Sequence, residues 1–77
     1  MTMVKRTEES TSQRHLEELT RDTILDAGYE IMMGNKPVSE VKLIQARNLV
    51  GRVNSQEIKQ YYEKIYNNYK QKWGELP

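Results

Sequence analysis

No cysteine occurs in this chain, which removes disulfides, thiolate-bound metals and a cysteine nucleophile together. Histidine is almost as scarce. His15 stands alone, so no histidine pair can hold zinc and no catalytic set can draw on a second imidazole. Apolar runs stop at three residues, as in Ile31-Met32-Met33, far short of a membrane span or the core of a signal peptide. A glycine-rich phosphate loop and a Ser-His-Asp set in a recognisable setting are missing too. Catalytic residues, a metal site and a cofactor are therefore not expected. The chain reads as a non-enzymatic cytoplasmic protein with no membrane partner.

Seventy-seven residues make one domain at most, and such a chain hides only about 60–65% of the surface its unfolded form exposes. One small core supplies little net stability, which makes association a natural supplement. The net charge is +1, but its distribution is uneven. Residues 1–37 carry seven acids against five bases, whereas residues 38–73 carry three acids against seven bases. A basic half can serve nucleic acid, or it can complement an acidic helix within the fold or across a dimer.

Residues 1–12 are polar, lack apolar periodicity and are expected to be a flexible tail. The remaining residues, 13–77, are expected to form one all-α domain of three helices, spanning about 13–33, 39–51 and 54–73. Ser12 is a candidate N-cap for the first helix, and Gly34, Asn35 and Pro37 form its stop. One side of that helix gathers Leu16, Leu19, Thr23, Ile24, Ala27 and Ile31. The opposite side gathers Leu25, Tyr29, Met32 and Met33. A helix with two apolar faces must cover both, and the second is expected to be a dimer interface of those four residues, with Leu25, Tyr29 and Met32 packed against the same residues of a second copy about a two-fold axis. Gly28 costs about 1 kcal/mol relative to alanine in a helix interior, a cost that close helix approach would offset.

The second helix, opened by Ser39 as N-cap, carries Val41, Leu43, Ile44, Ala46, Leu49 and Val50 around most of its circumference. That pattern predicts a central helix or one at a subunit seam. The third opens on Val53-Asn54-Ser55-Gln56-Glu57-Ile58, where Asn54 is the expected cap and Val53 and Ile58 form a hydrophobic staple. No segment alternates with period two, so no strand is expected.

Four of the six aromatic residues fall within Tyr61–Lys70. Ile58, Tyr62, Ile65 and Tyr69 lie within about 60° of one another on a helix and form the expected core stripe. Tyr61 stands on one shoulder, Tyr66 and Trp73 on the other, and these three are the candidate partner-binding residues, since Tyr and Trp favour interfaces. Base stacking on them would require rings beside a basic groove. The basic candidates for such a nucleic-acid face are Arg47, Arg52, Lys59, Lys64, Lys70 and Lys72. A helix-turn-helix centred on Gly51 fits poorly: it puts Arg47 where a small residue belongs and Glu57 where an apolar one belongs. Glu18, Asp22 and Asp26 repeat every four residues, but metal sites need ligands converging from several elements. A solvated acidic face, partly paired with the basic half, is the expectation.

The stretch "YEIMMGNKPVSEVKLI" resembles small enterobacterial biofilm- and acid-resistance-associated regulators, some of which connect to two-component signalling. The shared positions are Ile31, Met32, Gly34, Val38, Ser39, Leu43 and Ile44. The aromatic, lysine-rich last helix and the short second helix depart from that pattern. The resemblance implies an all-helical dimer with no catalytic residues.

These readings converge on a small regulatory or adaptor protein that pairs with itself and binds another protein. A nucleic-acid-binding regulator remains the alternative, and a protein of phage or plasmid type a further one.

Overall fold

A computed structural model describes the backbone of residues 2–76 and the side chains of residues 12–76. Three helices form: α1 (Thr2–Met32), α2 (Lys36–Val50) and α3 (Gln56–Trp73), with no strand among the described residues. Every pair of helices is in contact, and the α1–α2 pair is the most extensive. The long dimension of 51 Å matches what a 31-residue helix such as α1 spans at about 1.5 Å per residue. The expected flexible tail, residues 1–12, falls outside the described side chains except at Ser12. Because α1 runs from Thr2, Ser12 is an interior helical position and not an N-cap.

The end of α1 is where glycine and asparagine place it. Gly34 has φ 79°, a left-handed conformation that costs glycine nothing. Its amide donates to the Ile31 carbonyl at 3.1 Å, and the Asn35 amide donates to the Glu30 carbonyl at 2.9 Å. Together these satisfy the orphan carbonyls of the last turn in the paired pattern typical of glycine-terminated helices.

The chain then turns into α2 sooner than its sequence suggests. Asn35 is the cap residue and Pro37 lies in the first turn, where a missing amide hydrogen is harmless because that turn has no carbonyl to pair with. Pro37 thus starts the second helix as well as ending the first. Ser39, expected as the cap, is instead fully buried, its hydroxyl donating to the Lys36 carbonyl at 2.8 Å. The cap of α3 is displaced by one residue: Ser55 Oγ, not Asn54, accepts from the Ile58 amide at 3.3 Å. Val53 and Ile58 nonetheless meet, buried in the same cluster.

Two contiguous clusters make the core. Ile24, Ala46, Val53 and Ile58 form one, and Ala27, Ile31, Leu43 and Tyr69 form the other. Tyr62 and Ile65 pack partly buried against both, so the four-residue stripe expected on α3 does face inward. Small residues share the interior: Thr20, Ala27, Ser39 and Ala46 have no exposed surface. Thr20 and Thr23 satisfy their hydroxyls by donating to the Leu16 and Leu19 carbonyls at 2.6 and 2.8 Å, which makes their burial tolerable.

Two packing expectations need correction. Leu19 is 53% exposed, because the α1 stripe turns through Leu16 and Thr20 instead of Leu19. Helix α2 is not a central helix. It presents Ser39, Leu43 and Ala46 to the other two helices and leaves Val38, Val41 and Ile44 exposed on its outer side.

A candidate interaction groove between the first and third helices

Core packing fixes α1 and α3 side by side and parallel: Ile24 lies in one cluster with Ile58, and Ile31 in the other with Tyr69. Since α2 covers only one side of this pair, the other side stays open. There α1 supplies Leu25, Tyr29 and Met32, which recur at helical spacing. Helix α3 supplies Tyr61, Ile65, Asn68 and Lys72 at matching spacing. Between the rows runs an apolar groove of about 480 Å³.

Gly28 forms its floor. A Cβ there would lie 3.3 Å from the δ-methyl of Ile65, tighter than ordinary van der Waals contact, so glycine lets the helices approach as they do. The exposures make this face unusual. Leu25 is 60%, Tyr29 55% and Met32 72% exposed, a contiguous apolar ridge that water meets in the single chain. The expected interface residue Met33 is also exposed but stands outside the groove lining.

One end of the groove is polar. Lys72 Nζ donates to the Ile31 carbonyl at 2.9 Å, strapping the end of α1 to α3, and lies 5.4 Å from the Trp73 ring centroid. A cation at a helix C-terminus also meets the negative end of the helix dipole.

Of the three aromatic residues expected to bind a partner, only Tyr61 lines this groove. Tyr66 and Trp73 pack, half-buried, against the second core cluster. The Tyr66 ring stacks on Tyr62 with centroids 6.1 Å apart and planes 3° off parallel, and Trp73 tilts onto Tyr69 at 5.2 Å. The Tyr66 hydroxyl donates to Glu75 at 3.2 Å, and Lys70 pairs with the same carboxylate at 3.2 Å. Lys70, then Tyr66, hold that carboxyl below the usual carboxylate range.

A second polar anchor lies inside. Tyr69 has no exposed surface, and its hydroxyl donates to Glu40 Oε2 at 2.6 Å. Burial first, and the bond to Glu40 second, push the phenol up to about 12. The Tyr69 hydroxyl, followed by Lys36 at 2.9 Å, holds Glu40 below its ordinary value. Burial likewise raises Tyr62.

The six basic candidates do not gather on one surface. Lys70 and Lys72 are engaged within the chain. Arg47 borders a hollow with Tyr62, Tyr66 and Glu75, whereas Arg52 borders a separate one with Leu19 and Leu49. Lys59 and Lys64 are exposed, and their five-residue separation sets them about 140° apart on α3. The acidic row Glu18, Asp22 and Asp26 is exposed along α1, and Asp26 pairs loosely with Lys42 at 3.7 Å. Among the described residues no three histidine or acidic side chains are placed to hold a metal ion, and no helix is long and apolar enough to cross a membrane.

Ile65, expected in the core alone, also lines the groove, and so does Asn68, to which no role is assigned above. The signal for both was the i, i+4, i+7 series beginning at Tyr61. Comparison with protein-family models, curated proteins and solved structures finds no match to this chain.

Proposed function

We propose that this chain is a small non-enzymatic regulatory or adaptor protein that works as a homodimer through protein–protein contact. The observation that carries this reading is the α1/α3 groove with its exposed ridge of Leu25, Tyr29 and Met32. Monomers seldom leave contiguous apolar surface of this kind in water. Three large side chains on one helical face, beside a groove with a polar rim, have the composition of an interface core and its border. The resemblance to dimeric helical regulators points the same way. The exposed α2 residues Val38, Val41 and Ile44 supply a second apolar surface on the other side of the bundle, which suits an adaptor that holds its own copy with one face and another protein with the other.

The test is sedimentation of the wild type beside Leu25→Asp. The wild type should associate at tens of micromolar, and the variant should remain at the 9.1 kDa of one chain with its helix content unchanged. A wild type that stays at one chain's mass would overturn the reading. The nucleic-acid alternative predicts a mobility shift lost steeply with salt; a shift of that kind, undisturbed by Leu25→Asp, would replace the proposal.

A further inference from the structure

We infer that the two copies pair about a two-fold axis running along the bundle, so that the Leu25–Tyr29–Met32 ridge of each lies in the α1/α3 groove of the other, and Asp22 and Asp26 of each lie over Lys64 of the other. This rests on the homodimer reading above and specifies its geometry.

Shape selects the axis. On the open face the ridge belongs to α1, and the groove lies beside it toward α3. Helices pack about 8–10 Å apart, so ridge and groove are offset sideways by roughly half that distance. A two-fold axis lying across the bundle leaves every feature at its own sideways position. Ridge would then meet ridge and groove would meet groove, with a void left over each Gly28. An axis along the bundle exchanges the two sides. Each ridge then enters the other copy's groove, and the same patch serves both copies, as a two-fold interface requires.

Charge selects the same axis. Asp22 and Asp26 lie about 60° and 100° round α1 from Leu25, on the edge away from α3. Rotation about the bundle axis carries that acidic edge across the groove and over the partner's α3. Lys64 is exposed there, one turn from Tyr61 and Asn68 of the lining, and forms no ion pair among the described residues. The axial levels also agree. The Gly28–Ile65 approach sets those two residues level. Asp26 precedes Gly28 by two residues and Lys64 precedes Ile65 by one, which leaves an axial offset of about 1.5 Å. Asp22 lies one turn earlier, about 7.5 Å from that level. Asp26, which also stands 3.7 Å from Lys42 of its own chain, is thus the nearer acid, and Asp22 adds to the field. An axis across the bundle would instead set acidic edge against acidic edge. With three ridge residues more than half exposed on each copy, mutual burial reaches the order of 1,000 Å² in total, the size at which specific interfaces begin.

Charge reversal tests the geometry. Dissociation constants would be measured by sedimentation equilibrium for the wild type, Lys64→Glu, Asp22→Lys with Asp26→Lys, and all three changes together, with circular dichroism to check helix content. Either reversed edge alone should weaken association about tenfold at low salt, because two symmetric attractions become repulsions. The combined variant should return to within about threefold of the wild type. Weakening that adds up in the combined variant overturns the inferred axis. So does indifference to all three changes in a protein that Leu25→Asp still dissociates, although the homodimer reading then survives. A wild type at one chain's mass removes both.

Discussion

Removing a single oxygen atom from the core should measure how strongly the Tyr69–Glu40 contact ties α3 to α2. In Tyr69→Phe the ring keeps its place in the second cluster, and only the hydroxyl that donates to Glu40 at 2.6 Å is lost. Hydrogen bonds to charged groups contribute about 1.5–3 kcal/mol. Glu40 keeps Lys36 at 2.9 Å and some contact with water, so it is not stranded, and the lower part of that range, about 1.5–2 kcal/mol, applies. At about 4–8 °C per kcal/mol for a domain of this size, the melting midpoint should fall by about 6–16 °C. Alkaline pH provides an independent check. A phenol held protonated to about 12, against an ordinary 10.0, stabilises the fold fully below the ordinary value and loses that contribution as pH climbs through about 12. Urea titrations between neutral pH and pH 12 should therefore show the wild type losing its advantage over the variant in that window, the other tyrosines being common to both. A loss below about 0.5 kcal/mol, within the range of inert surface changes, or an advantage that does not vary between pH 10 and 12, would refute the reasoning.

Glu40, held below its ordinary 4.5 by the Tyr69 hydroxyl and then Lys36, should stabilise the fold above that value and stop doing so as pH falls beneath it. Denaturant midpoints taken from pH 5 to pH 3 should thus fall less steeply in Glu40→Gln than in the wild type. Gly28→Ala should gain about 1 kcal/mol of helix propensity against a 3.3 Å approach to the δ-methyl of Ile65. Ile65 must give way by a few tenths of an ångström, and this crowding offsets the gain, so thermal melts of dilute protein should change little while the filled groove floor weakens association. Lys72→Met should cost about 0.5–1.5 kcal/mol, because it removes the strap to the Ile31 carbonyl, and hydrogen exchange should rise first in the last turn of α1. Leu25→Asp should raise the dissociation constant at least 30-fold, the scale of a central interface residue, in sedimentation runs that leave the circular dichroism spectrum unaltered.

The helices themselves were legible because periodicity and punctuation agreed. The period-3.6 stripes separated the two faces of α1, Gly34 marked its end, and Val53 with Ile58 marked the start of α3. The caps were less legible because neighbouring polar residues compete for the same amide. Asn54 and Ser55 both suit the cap of α3, and the backbone geometry chose Ser55. Pro37 reads as a stop as readily as a first-turn residue, which displaced the expected start of α2 by three residues. Leu19 and Thr20 show the limit of hydrophobicity as a guide: the smaller threonine is the buried one of the pair, and its hydroxyl finds the Leu16 carbonyl. The ridge of Leu25, Tyr29 and Met32 could be seen in α1 alone. Its groove could not, because that depends on which side α2 leaves uncovered and on Gly28 facing Ile65, neither of which a single helix pattern encodes.

Isotope-filtered nuclear Overhauser spectroscopy on an equimolar mixture of labelled and unlabelled chains tests the central claim most directly. Contacts between copies should join the Leu25 and Met32 methyl groups of one chain to the Ile65 δ-methyl on the other chain's groove floor. Contacts confined within each chain, at concentrations of hundreds of micromolar, would contradict it.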